Sequence, residues 1–301
     1  MLNSPIVSGQ ELVKWRNWAK QEAITFNISA QEVDWLLQEV APLDTLSLRL
    51  ESFKQQSQIP LKFSLSELTK LWQLRVNKRV PVQYLVGVTP WRNFRLKVSP
   101  SVLIPRPETE LIIDLAVAAT QKSPIKGLEL GHWVDLGTGS GAISLGLAQM
   151  FPDATIHAVD TSRDALAIAA ENSQDLGFSD IINFYHGFWW SPLQEFRGKI
   201  SGMVSNPPYI PTKTLSQLQP EVREHEPSLA LDGGEDGLDS IRYLINTSPD
   251  YIISGGIWLI EMMAGQGEII SKLLKNSNNF IEINICPDLA GIDRFAMAYR
   301  R

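Results

Sequence analysis

Asn206, Pro207, Pro208 and Tyr209 close an apolar run, VSNPPYI, at residues 204–210. Their types suit one task, holding a planar group that carries an NH2. The two prolines lack amide donors and fix φ, which holds the carbonyls around the corner in one orientation. The Asn206 side-chain carbonyl and the Pro207 backbone carbonyl then offer two acceptors side by side, one for each hydrogen of an NH2. Tyr209 adds an aromatic face on which a planar amide or an amino-substituted ring can lie. The nitrogen of such a group is a poor nucleophile because its lone pair is conjugated. Binding both hydrogens turns the lone pair towards an incoming electrophile and favours the pyramidal nitrogen that forms with the new bond. In-line positioning then supplies much of the catalysis. Asn206, Pro207 and Tyr209 are the catalytic candidates, and Asn206 through Tyr209 the candidate substrate site. A plain structural turn is the competing reading of two prolines.

A second group, VDLGTGSGAIS at 134–144, places Gly137, Gly139 and Gly141 between a strand and a helix. Glycine there permits positive φ and lets backbone amides approach a ligand closely. The next strand ends in Asp160, about twenty residues on, where a carboxylate can accept both hydroxyls of a ribose. Together they predict a nucleoside-bearing cofactor over the strand ends, against the alternative of a bare turn. Asp135 stands just before the loop, and an anion in that corner would repel the pyrophosphate of a dinucleotide. A cofactor ending in a zwitterionic amino acid fits better, its ammonium near an acid, which describes S-adenosylmethionine. His132, His157, His186 and His225 show no metal-ligand spacing and no triad, so no metal is expected.

These residues need a scaffold. From residue 130 on, strand and helix patterns alternate: HWVDLG, SGAISLGLAQMF, TIHAVD, SRDALAIAAENSQDLG, IINFYHG, ISGMVSN, GIWLIEM, GEIISKLLKNS, FIEINIC and RFAMAYR. That order predicts an α/β doubly wound sheet with parallel strands. The last two strands are joined by a link too short for a parallel crossover, so the final pair should be antiparallel. Residues 1–85 have helical periodicity, with Leu12, Trp15, Trp18 and Ala19 on one face and Val33, Leu36, Leu37 and Val40 on another. Ser29 with Glu32, and Ser64 with Glu67, have capping-box spacing. Tryptophans in such a bundle are expected in its core. Residues 86–105 read as a hairpin connector, with Phe94, Leu96 and Val98 alternating, and 106–301 as the Rossmann-like domain.

The chain has 301 residues, 44% hydrophobic and 20% charged, with a net charge of −6. An acidic balance argues against a protein that grips nucleic acid over a long footprint, and RVNKR at 75–79 reads as a solvated helix end. No apolar run approaches the length that spans a membrane, and no export signal is visible at the N-terminus. With one cysteine, Cys286, the chain is expected in a reducing compartment, the cytoplasm.

PVQYLVG, VLIPRPETE, VDLGTGSGAISLGLA, HAVDTSRDALAIAAEN, VSNPPYI, EPSLALDGGEDGLDSIRYLI and DLAGIDRFAMAYR together resemble the HemK/PrmC-type peptide chain release factor glutamine methyltransferases over nearly the whole length. The resemblance implies the class I S-adenosylmethionine-dependent methyltransferase fold with an N-terminal helical docking domain. It also implies methylation of the glutamine amide in the Gly-Gly-Gln loop of class 1 translation release factors. By the same resemblance Gly137, Thr138, Gly139, Ser140 and Gly141 contact the cofactor, Asp160 holds its ribose, Asn206 borders it, and Trp189 lies near its adenine. HGFWWSPL departs from the family, leaving Trp190 as the alternative to Trp189. LIEMMAGQ also departs, on a strand taken to lie away from the amide clamp, so only a packing change is expected there. Glu108 and Glu110 stand either to close over the site or to cap a helix. The rival readings are an amino-group methyltransferase acting on DNA or RNA bases, a dinucleotide-dependent oxidoreductase that leaves NPPY idle, and a cofactor-binding regulator.

Overall fold

The computed structural model describes residues 4–301 and divides into two compact units, Met1–Gly87 and Val88–Arg301. No helix among the described residues is long and apolar enough to cross a membrane.

The first unit runs β1 (Ile6–Val7), α1 (Gly9–Thr25), α2 (Gln31–Val40), α3 (Thr45–Leu50), β2 (Ile59–Pro60), α4 (Leu65–Lys78) and α5 (Val82–Val86), with β1 and β2 paired antiparallel. Its core gathers Leu12, Trp15, Ala19, Val33, Leu36, Leu37, Val40, Leu68 and Trp72, the stripes that the helical period marks out. Trp18 is the exception, at 36% exposure, since it sits at the edge of the stripe and packs edge-on against Trp15. Ser64 and Glu67 form the expected capping box on α4. Ser29 and Glu32 do not: the N-cap falls one residue later, on Ala30, and the helix begins at Gln31. Glu32 is taken instead by Arg75, whose Nε and Nη2 donate to its two oxygens at 2.6 and 2.9 Å. A two-pronged charge-assisted pair outcompetes a cap bond. It also buries Arg75, so RVNKR is not a wholly solvated helix end.

The second unit opens with the hairpin β3 (Val88–Trp91) and β4 (Phe94–Lys97), followed by α6 (Leu111–Lys122). There follow β5 (His132–Leu136), α7 (Ala142–Met150), β6 (Thr155–Asp160), α8 (Arg163–Leu176), β7 (Ile182–His186) and β8 (Ile200–Ser205). The chain continues with α9 (Pro220–His225), α10 (Asp239–Thr247), β9 (Ile252–Glu261), α11 (Gly267–Asn276), β10 (Phe280–Pro287) and β11 (Asp293–Arg300). The sheet has seven strands in the order β10-β11-β9-β8-β5-β6-β7. β11 is antiparallel to both β10 and β9, while β9, β8, β5, β6 and β7 run parallel.

Period-two alternation splits each inner strand between two cores. Trp133 of β5 packs with α6 and α7, while Val134 and Leu136 pack on the other face with α10 and α11. Both faces of a parallel sheet are covered in this way, and the polar work is left to the strand carboxyl ends.

Candidate active site

Leu136 ends β5 and Ser205 ends β8, and the two are partners in the parallel register. The Ser205 hydroxyl donates to the Leu136 carbonyl at 2.6 Å. The glycine loop and the Asn206 corner therefore start from adjacent strand ends.

In the loop Gly137, Gly139 and Gly141 take φ of +79°, +55° and +85°, a region that costs other residues strain. Asp135 sets the shape of the turn. Its Oδ2 accepts from the Thr138 hydroxyl (2.6 Å), the Ser144 amide (3.0 Å) and the Ser144 hydroxyl (2.7 Å). Asp135 is thus first an organiser of the loop. Its Oδ1, however, is buried without any partner, and burial pushes the carboxyl up to about 6 against the pull of those hydrogen bonds. An orphaned carboxylate oxygen beside the loop suits a ligand ammonium and disfavours a further anion.

Asp160, at the end of β6, accepts from the Gly139 amide on Oδ2 (2.9 Å) and from the Ser162 amide on Oδ1 (2.8 Å). Each oxygen keeps a second lone pair, so the carboxylate fixes the loop and still has capacity for a diol. A Cβ placed on Gly139 would meet nothing within 4 Å, leaving open space there, and one on Gly137 would come 3.6 Å from the Trp189 ring. The Ser140 carbonyl accepts from Asn172 at 2.9 Å, which ties the loop to α8. The two tryptophans have separate places. Trp189 lies against the loop, whereas Trp190 stacks on Tyr251 in the core, centroids 4.4 Å apart and planes 11° apart.

At the corner, Asn206 Nδ2 faces the Thr109 hydroxyl at 3.5 Å. Neither Asn206 Oδ1 nor the Pro207 carbonyl accepts a hydrogen bond among the described residues. The two acceptors expected for an NH2 are unclaimed. Tyr209 is pinned at both ends: its hydroxyl donates to Glu261 Oε1 at 3.0 Å, and its carbonyl accepts from Gln266 Nε2 at 3.2 Å. Burial and the adjacent Glu261 carboxyl push the phenol well above its ordinary range, so Tyr209 stays protonated.

Thr109, Glu261 and Gln266 escaped the sequence reading. β8 and β9 pair Ser205 with Ile260, which puts Glu261 next to Asn206. The LIEMMAGQ segment thus borders the clamp, contrary to the expectation that it lies away from it. The available signal was a lone carboxylate ending the apolar run GIWLIE. In the PRPETE segment it is Thr109, between the two glutamates, that reaches the site. Glu108 is exposed, and Glu110 accepts the Arg92 amide of the β3–β4 turn at 2.8 Å. Arg106 of the same segment donates to the buried Glu226 at 2.6 Å, tying it to the chain beyond the corner. His132 and His157 pair at 3.0 Å, with His132 at the start of β5, the end opposite the loop.

Residues 119–223 match the family model of the methyltransferase small domain. The fold is similar to that of the hMettl16 catalytic domain, solved with a MAT2A 3'UTR hairpin, at a TM-score of 0.56 and 12% identity over 88% of each chain. At that identity the likeness concerns the fold alone. The release factor glutamine methyltransferase of Thermosynechococcus vestitus is 45% identical over 97% of this chain and 99% of its own length. The one from Synechocystis sp. is 51% identical over 99% of both chains. With one glycine-rich loop and one NPPY corner on adjacent strand ends and relatives this close along its full length, the chain belongs to the release factor glutamine methyltransferases.

Proposed function

We propose that this protein transfers a methyl group from S-adenosylmethionine to the side-chain amide nitrogen of the glutamine in the Gly-Gly-Gln loop of class 1 translation release factors. The observation that carries the reading is the pair of unclaimed acceptors at Asn206 and Pro207, beside the glycine loop, in a chain of this family. When bound, S-adenosylmethionine supplies a methyl group on a sulfonium sulfur, already a strong methyl donor.

Gly137, Thr138, Gly139, Ser140 and Gly141 would hold that cofactor, with Asp160 on its ribose, Trp189 by its adenine and Asp135 Oδ1 towards its ammonium. Asn206 Oδ1 and the Pro207 carbonyl take the two hydrogens of the substrate amide. Pro208 keeps the corner rigid, and Tyr209 supports the amide plane. With both hydrogens held, the nitrogen lone pair is directed out of the amide plane, and the residues contribute orientation. Forming the N–CH3 bond would break the S–CH3 bond to leave a neutral thioether, and the nitrogen would release one of its two hydrogens as a proton to water. The helical unit is assigned to docking the release factor, and the place of work is the cytoplasm.

Methyl transfer from labelled S-adenosylmethionine to a purified, unmodified class 1 release factor tests this reading. Label on the intact factor, and none on a factor whose loop glutamine is alanine or on a DNA duplex, is the expected result. Label on the DNA alone would overturn it.

A further inference from the structure

We infer that Thr109 and Glu261 are positioning residues that decide which atom of the Asn206 carboxamide faces the substrate. The inference rests on the amide-clamp reading of Asn206 given above.

A carboxamide is nearly symmetric in shape, so half a turn about its last bond puts an NH2 where the carbonyl was. In one orientation Asn206 accepts a hydrogen from the substrate amide. In the other it opposes donor to donor and suits a carboxylate instead. Nothing in residue 206 itself makes the choice, so its neighbours must.

Glu261 is 1% exposed, and its two partners are hydroxyls, not cations. Thr109 Oγ1 donates to Oε2 at 2.6 Å, and the Tyr209 hydroxyl donates to Oε1 at 3.0 Å. The shorter bond has the length of a charge-assisted O–H···O contact. Burial pushes the Glu261 carboxyl up, against the pull of its two hydroxyl partners and of the Arg294 charge, and an acid kept buried at that cost is poorly explained by packing alone. A threonine hydroxyl has one hydrogen, and Glu261 takes it. Only lone pairs are then left to face Asn206, whose Nδ2 lies 3.5 Å away. The nitrogen of the carboxamide is drawn to Thr109 and its carbonyl is turned to the opposite side, free to accept. The same carboxylate anchors the Tyr209 ring through its hydroxyl. One buried acid on β9 thus sets both walls of the clamp, the polar one through Thr109 and the aromatic one directly.

The account makes a claim about chemical preference that a merely structural role does not. The test compares wild type, Thr109→Val, Thr109→Ser and Glu261→Gln as full chains. The readouts are kcat and KM on an unmodified release factor, and inhibition by the same factor carrying glutamate in place of its loop glutamine. Thr109→Val removes the hydroxyl while keeping the shape. It should lower kcat/KM about tenfold and tighten inhibition by the glutamate-bearing factor by a similar factor, about the effect of one hydrogen bond to a polar group. Thr109→Ser, which keeps the hydroxyl, should restore the wild-type preference. Glu261→Gln leaves one acceptor for two hydroxyls, so the hold on the Thr109 hydrogen weakens and preference should shift in the same direction as Thr109→Val, by a smaller factor. The ratio of amide to carboxylate binding is measured on folded protein, so a loss of stability does not mimic it. Thr109→Val with reduced activity and unchanged preference would overturn the inference and leave the methyltransferase reading standing. A wild-type enzyme that binds both factors and methylates neither would overturn both.

Discussion

The glycine loop and the amide clamp sit on neighbouring strand ends and are built on different plans. In the loop the organising hydrogen bonds join residues 3, 9 and 21 apart in sequence, from Asp135 to Thr138 and Ser144 and from Gly139 to Asp160. In the clamp they join residues 52, 97 and 152 apart, linking Tyr209 to Glu261, Asn206 to Thr109 and Thr109 to Glu261. The loop is built within the contiguous run from β5 to α8 and holds its shape locally. The clamp exists only once the turn before α6, β8 and β9 have come together. Binding of the cofactor and presentation of the substrate amide should therefore be separable by mutation.

The largest separation is expected from Asn206→Ala. Losing the acceptor proposed for the reacting group should cut kcat on the order of 100- to 1,000-fold, with cofactor affinity by calorimetry close to wild type. Parallel losses in both measurements would merge the two regions into one. Asp160→Ala probes the opposite side. Removing the acceptor proposed for the ribose, and with it the anchor of the Gly139 amide, should weaken cofactor binding about 10- to 100-fold. Activity at saturating cofactor should fall far less, and unchanged affinity would move the nucleoside away from Asp160.

The smallest effect concerns Asp135, held at about 6 by its burial. Below that pH the free protein carries it protonated, and a ligand cation gains little from it. Cofactor affinity should rise as pH climbs towards about 6, by at most tenfold per unit, and level off above. A flat profile would leave Asp135 as an organiser of the turn alone.

The same contrast explains what the sequence made legible. Gly137, Gly139, Gly141 and Asp160 announce themselves because their partners fall in one window of strand, turn and helix. The stripes of α1, α2 and α4 are legible for the same reason, being repeats along one element. The chemistry proposed for Asn206 through Tyr209 is legible in their residue types, but their supports are not. Thr109 hides between two glutamates that draw the eye, and Glu261 becomes a neighbour of Asn206 only through the β8–β9 register. Ser29 and Glu32 fail for a related reason. Their spacing is right for a cap, yet Arg75, 43 residues away, binds Glu32 more strongly than a local amide would. Local patterns state what a residue is able to do, and long-range packing decides which of its options it takes.

The central claim is that the Asn206–Tyr209 corner delivers a glutamine side-chain nitrogen to the methyl donor. The most direct measurement is fragmentation mass spectrometry of a class 1 release factor after one round of reaction with this protein and S-adenosylmethionine. The account predicts a single added methyl group, carried on the side-chain amide nitrogen of the Gly-Gly-Gln glutamine, and none with Asn206→Ala. A methyl group on any other atom of the factor would contradict it.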